Sequence, residues 1–155
     1  MAYNNNYQKS RSNDRSDNRV PAIPFFELKS EDYVEKAEKV INTLERDNSG
    51  KSFKLTTSQI RNLLAMTSEM LNKVNNCKAS GDEKMPISAA LVQDLNALKI
   101  RAVYECGRTP PVRELIENAH VLEHIKRIKS VSDCELFCHY MEALVAYHRF
   151  LGGKD

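Results

Sequence analysis

Apolar positions recur every three to four residues in five stretches of the chain, and that spacing predicts a helix for each. In the first, Ser30 stands as N-cap before Glu31 and Asp32. Tyr33, Ala37, Val40, Ile41 and Leu44 form its stripe, and the Asp47-Asn48-Ser49-Gly50 cluster ends it. The second opens on Thr56-x-x-Gln59, a capping-box pattern. It carries Ile60, Leu63, Leu64, Leu71 and Val74 inward and gives way to a polar loop around Gly81. Pro86 opens the third helix and Gly107 is expected to stop it, with Leu91, Leu95, Leu98, Ala102 and Cys106 on one narrow face. Thr109-Pro110 restarts a fourth, facing inward through Val112, Leu115, Ile116, Ala119, Leu122 and Ile125. Ser132-x-x-Glu135 leads a fifth, whose stripe is Leu136, Phe137, Tyr140, Leu144, Tyr147 and Leu151, with Gly152-Gly153 closing it. No run alternates as a half-buried strand would, and no segment repeats. The pattern predicts an all-α fold, a compact bundle of about five helices.

The stretch before the first helix has a different composition. Asn, Ser, Arg and Asp dominate the first 20 or so residues, so residues 1–24 are expected to form a disordered polar, basic tail, and residues 25–155 the helical body. The short run Ile23-Pro24-Phe25-Phe26 is apolar enough to dock on that body. A net charge of +2 resides in the first 19 residues, leaving the body neutral. Any polyanion contact by the body must then come from local clustering. The absence of long apolar runs and of a signal-peptide core excludes a membrane span and points to a cytoplasmic protein. Four cysteines, three of them inside helical patterns, fit reduced thiols.

One such cluster lies on the third helix. Arg101, Tyr104 and Arg108 fall together on a flank beside its apolar face, with Lys99 nearby. Guanidiniums neutralise and hydrogen-bond phosphates, and an aromatic ring stacks on an unpaired base. The plainer reading is an ordinary solvated helix face. Other chemistry is weaker. Ser49-Gly50-Lys51-Ser52 resembles the end of a phosphate-binding loop, but Glu45 stands where the motif's first glycine belongs. His120 with His124, and Cys134 with Cys138, have the i, i+4 spacing of helical zinc ligands, yet such pairs arise freely on amphipathic helices. Arg113 and His120, seven residues apart, resemble the Arg-x₆-His pair of the all-α HEPN ribonucleases and would share a face of one helix. No catalytic residue, metal or cofactor is expected on the main reading.

Two segments resemble a further family. One is Phe53-Lys54-Leu55-Thr56-Thr57-Ser58-Gln59-Ile60-Arg61-Asn62. The other is Leu95-x-x-Leu98-Lys99-Ile100-Arg101-Ala102-Val103-Tyr104-x-x-Gly107-Arg108, followed by Val112. In this order, on an all-α chain of this size, they are similar to the small subunit of type III-A CRISPR (Csm) effector complexes, over roughly residues 30–150. The Asn/Ser/Arg leader is no part of that pattern. The resemblance implies a non-catalytic subunit in antiviral and anti-plasmid defence. It would lie along the inner face of a ribonucleoprotein filament, beside the crRNA and the target single-stranded RNA. The implied partners are the Csm backbone subunits, the large subunit and other copies of itself. The expected RNA-binding residues are Lys54, Thr57, Arg61, Lys99, Arg101, Tyr104 and Arg108. Thr56, Thr57 and the free N–H groups of the second helix are candidates for one phosphate. Two alternatives stay open: a HEPN-like ribonuclease using Arg113 and His120, and an RNA-independent helical protein-interaction module.

Overall fold

Residues 21–81 and 85–155 are described by a computed structural model. They form six helices: α1 (Tyr33–Asn42), α2 (Thr57–Ala79), α3 (Ala89–Arg108), α4 (Pro110–Asn118), α5 (Val121–Arg127) and α6 (Val131–Phe150). Among the described residues no strand forms, and two isolated bridges, Arg46 to Phe53 and Pro86 to Ser130, tie loops together. The bundle is built around α6, which packs on α1 and α2, while α3 packs on α2 and α4. Phe137, Cys138, Tyr140 and Leu144 of α6 meet Ala37, Val40 and Ile41 of α1 and Leu63, Met70 and Val74 of α2 in one buried core. A helix covered from several sides needs a wide apolar face, which explains why α6 buries eight residues.

The expected helix boundaries shift where local chemistry outweighs the stripe. α1 starts behind Asp32 rather than Ser30 and ends at Asn42, where the Thr43 hydroxyl donates to Val40 O at 2.6 Å. The Asp47–Gly50 cluster is a separate turn between the two bridged residues Arg46 and Phe53. The Thr56–Gln59 capping box forms as expected, with Gln59 N on Thr56 Oγ1 at 3.3 Å and Thr56 N on Gln59 Oε1 at 2.9 Å. α3 begins behind Ser88, not at Pro86, and runs through Gly107 to Arg108. Pro110 is what stops it: a residue before proline is driven out of the helical region, and Thr109 sits at φ −130°, ψ 98°.

The cap of α6 is Ser130 with Asp133, two residues before the expected Ser132-x-x-Glu135. Glu135 instead takes Lys78 Nζ at 2.9 Å, joining the start of α6 to the end of α2. Ser130→Ala is expected to cost about 1 kcal/mol. An unchanged urea midpoint in that variant would rule the cap out.

The expected fourth helix is two. Its chain turns at His120, the one non-glycine residue with positive φ among those described, at φ 53°. Several bonds hold this left-handed corner. Asn118 donates to Thr43 Oγ1 at 3.1 Å and accepts from Ala22 N at 3.0 Å. His120 Nε2–H donates to Ile23 O at 2.7 Å, and Tyr140 OH to Ala119 O at 3.1 Å. The corner buries Val121, His124 and Ile125 of α5, leaving Leu122 half-buried.

Phe25 and Phe26 dock beside the corner as expected, their rings 5.3–5.7 Å from those of His120 and His124. Ala22 and Ile23, expected on the tail side of the boundary, already bond to the body. The disorder expected for residues 1–20 lies outside the described residues.

Candidate nucleic-acid interface

α3 carries the densest part of the candidate site. Leu91, Leu95, Leu98 and Ala102 are buried as the stripe requires, and Cys106 is half-buried. That geometry leaves Ile100, Val103, Tyr104 and Arg108 toward solvent, with Tyr104 55 % exposed. Arg101 lies at the edge. Its Nη2 pairs with Glu105 Oε1 at 2.7 Å and its guanidinium sits 5.5 Å from the centre of the Tyr104 ring. Glu105 is 4 % exposed. A carboxylate so deep needs a partner, and Arg101 supplies it. Arg101 is therefore not wholly free for phosphate, although its fork has more N–H groups than Glu105 uses. Its Nε is buried without a hydrogen-bond partner. Lys99 is half-buried and Arg108 exposed, and neither makes an ion pair among the described residues.

The start of α2 is more occupied than expected. The Thr57 amide donates to Lys154 O at 2.7 Å, and the Thr56–Gln59 box takes the Gln59 amide. The expectation of free N–H groups there is thus corrected for Thr57, because the segment after α6 caps the helix. Gly152 and Gly153 permit this close return. A side chain at Gly152 would meet Lys51 O at 2.6 Å, and one at Gly153 would run into the His148 ring. Lys54 pairs with Glu45. Arg61 is exposed and makes no ion pair among the described residues. Arg61 lies on α2, which packs against α3.

A profile of the family described as Csm2 Type III-A matches residues 27–154. The chain belongs to the Csm2 type III-A family. It is 45% identical over 128 residues to the CRISPR system Cms protein Csm2 of Streptococcus thermophilus, covering 83% of this chain and 98% of that one. It is 37% identical over 126 residues to the Csm2 protein of Mycobacterium tuberculosis, covering 81% and 95%. The Csm2 protein of Enterococcus italicus is 35% identical over 99 residues, 62% of this chain and 67% of its own. The resemblance read from the two motifs is borne out as a Csm2 family assignment. The leader falls outside the matched range, as it fell outside the recognised pattern.

Other candidate chemistry takes structural roles in this Csm2 chain. Ser49 and Gly50 of the loop resembling a phosphate-binding motif turn back onto Asp47, whose Oδ1 accepts from Ser49 N at 3.1 Å and Ser49 Oγ at 2.6 Å. The premise of the Arg113–His120 pair fails. The helix breaks between them, Arg113 Nε pairs with Glu117 at 2.7 Å, and His120 is 6 % exposed with Nε2 on Ile23 O. Cys134 and Cys138 are buried in α6, Cys134 Sγ lying 3.6 Å from Met70 Sδ. Among the described residues no group of three or more His, Cys, Asp or Glu is arranged to hold a metal ion. None of the helices described is long and apolar enough to cross a membrane.

The sequence reading missed the exposed apolar side chains of α3. Ile100 is 71 % exposed and Val103 53 %. Both lie off the Leu91-Leu95-Leu98-Ala102 stripe, and that offset was the available signal.

Proposed function

We propose that this chain is a non-catalytic subunit of a cytoplasmic type III-A ribonucleoprotein that lines the inner face of the filament and contacts the RNA backbone. The reading rests on one observation. The helix bearing the second of the two Csm2 motifs presents Arg108, the outer edge of Arg101 and the ring of Tyr104 to solvent together. Arg61 and Lys99 add cations that make no ion pair among the described residues, Lys54 contributes beside its pairing with Glu45, and Thr57 drops out of the surface, its amide taken by Lys154 O and its hydroxyl buried. Contacts to phosphate suit a subunit that accepts any crRNA and its paired target, since phosphates carry no sequence information. Ile100 and Val103 beside this flank are the apolar surface for a backbone subunit, the large subunit or another copy of the chain. The reading needs no cofactor.

The test is a particle assembled with backbone subunit, large subunit and crRNA. Lys99→Glu with Arg108→Glu, which leaves the Arg101–Glu105 pair intact, is expected to weaken retention of target RNA about tenfold at moderate salt and to flatten its salt dependence. Retention unchanged in both amount and salt slope would remove α3 from the interface.

A further inference from the structure

A cleft of about 540 Å³ opens between the end of α5, the first turns of α6 and the segment before α1. That volume falls within the ~300–1,000 Å³ typical of small-molecule sites. Its floor is apolar, made by Leu28, Ile128, Leu136 and Phe137. Its rim is cationic through Lys126, Arg127 and Lys129. The two carboxylates beside it are already committed. Glu27 pairs with Arg127 at 3.2 Å, and Asp133 accepts from the Lys129 and Ser130 amides at 3.0 and 3.1 Å. The Lys126 and Lys129 side chains are exposed and make no ion pair among the described residues.

His124 also lines the cleft. It is 4 % exposed, and its Nε2 is buried with no hydrogen-bond partner. Folded proteins keep few such atoms unmet. Burial holds the ring neutral at pH 7, and Nε2 itself is closed off from solvent, so the ring serves as part of the cleft wall. An apolar floor and two unpaired ammonium groups on its rim match a flat heterocycle joined to a phosphate. An extended peptide would find no strand edge here to pair with.

We propose that this cleft takes one unpaired nucleotide of a single-stranded RNA, with its base on the apolar floor beside His124 and its phosphate on Lys126 and Lys129. The proposal rests on the RNA-binding reading above and adds a second contact on α5, which packs against α3.

The experiment crosslinks the full chain to single-stranded RNA containing 4-thiouridine, at saturating RNA, and maps the adducts. Adducts are expected on the segments holding Ile128 and Leu136 as well as on α3. Lys126→Glu with Lys129→Glu should lower the ratio of cleft to α3 adducts about tenfold, the scale of one lost base and phosphate contact. Both lysines are exposed, so the fold is retained. Adducts on α3 alone, or a ratio unchanged by the double variant, overturn the cleft and leave the α3 interface standing. Cleft adducts lost in the double variant, with none on α3, support the cleft and remove the α3 flank. No adduct anywhere overturns both. Protection of the cleft by uridine monophosphate, without any RNA adduct there, assigns it to free nucleotides and overturns the strand.

Discussion

Lowering the pH from 7 to 4 is expected to remove about 3 kcal/mol of stability through His124 alone. Burial depresses its pKa from 6.5 to about 4, with smaller contributions from His120, Arg127 and Lys36. In the unfolded chain the ring takes its proton near 6.5, whereas the folded chain resists it until about 4. Between those values the unfolded state binds more protons. The contribution is therefore complete above pH 6.5 and falls away as the pH drops toward 4. Burial shifts His148 in the same direction, and its bond to Leu55 O offsets part of that shift. Urea unfolding between pH 7 and pH 4 measures the effect. His124→Gln should flatten the pH dependence by about 3 kcal/mol relative to the parent, whatever it does to absolute stability. Parallel curves for the two proteins would exonerate His124.

Tyr140→Ala is expected to cost about 4 kcal/mol, near the top of the range for emptying a buried aromatic site. The side chain is fully buried, and its ring lies 5.5 Å from His124 and 6.0 Å from Phe26. Its hydroxyl serves Ala119 O just before the left-handed corner. Tyr140→Phe isolates that bond and should cost about 1 kcal/mol. Denaturant midpoints decide the matter. Equal losses in the two variants would mean that the hydrogen bond, not the ring, carries the site. Because Tyr140 and His124 touch, their substitutions should not add.

The helical content was legible because the Leu91-Leu95-Leu98-Ala102 and Ala37-Val40-Ile41-Leu44 stripes are local patterns that the core simply receives. The break at His120 was not. Val112 to Ile125 keeps helical spacing straight through the corner, and the bonds that turn it come from Ala22, Ile23, Thr43 and Tyr140, distant in sequence. The α6 cap slipped by two because Ser130 and Ser132 both have an acidic residue three positions on, and only the fold distinguishes them. At the candidate site the positions of Tyr104 and Arg108 followed from periodicity. The pairing of Arg101 with Glu105 was hidden because Glu105 lies off the expected stripe, which ended on Cys106, and yet is the more buried of the two. Capping of Thr57 by Lys154 joins the start of α2 to the segment after α6, beyond any local pattern.

That long-range closure bears on how the molecule is made. α1 and α2 both rest on α6, Leu55 O awaits the His148 ring, and the Thr57 amide awaits Lys154. During translation the early helices emerge with their apolar faces uncovered and gain their main packing partner only after α6 has been synthesised. Nascent chains stalled before α6 should consequently engage chaperones and be cut readily by protease. Chains stalled beyond Lys154, with the ribosomal tunnel cleared, should do neither.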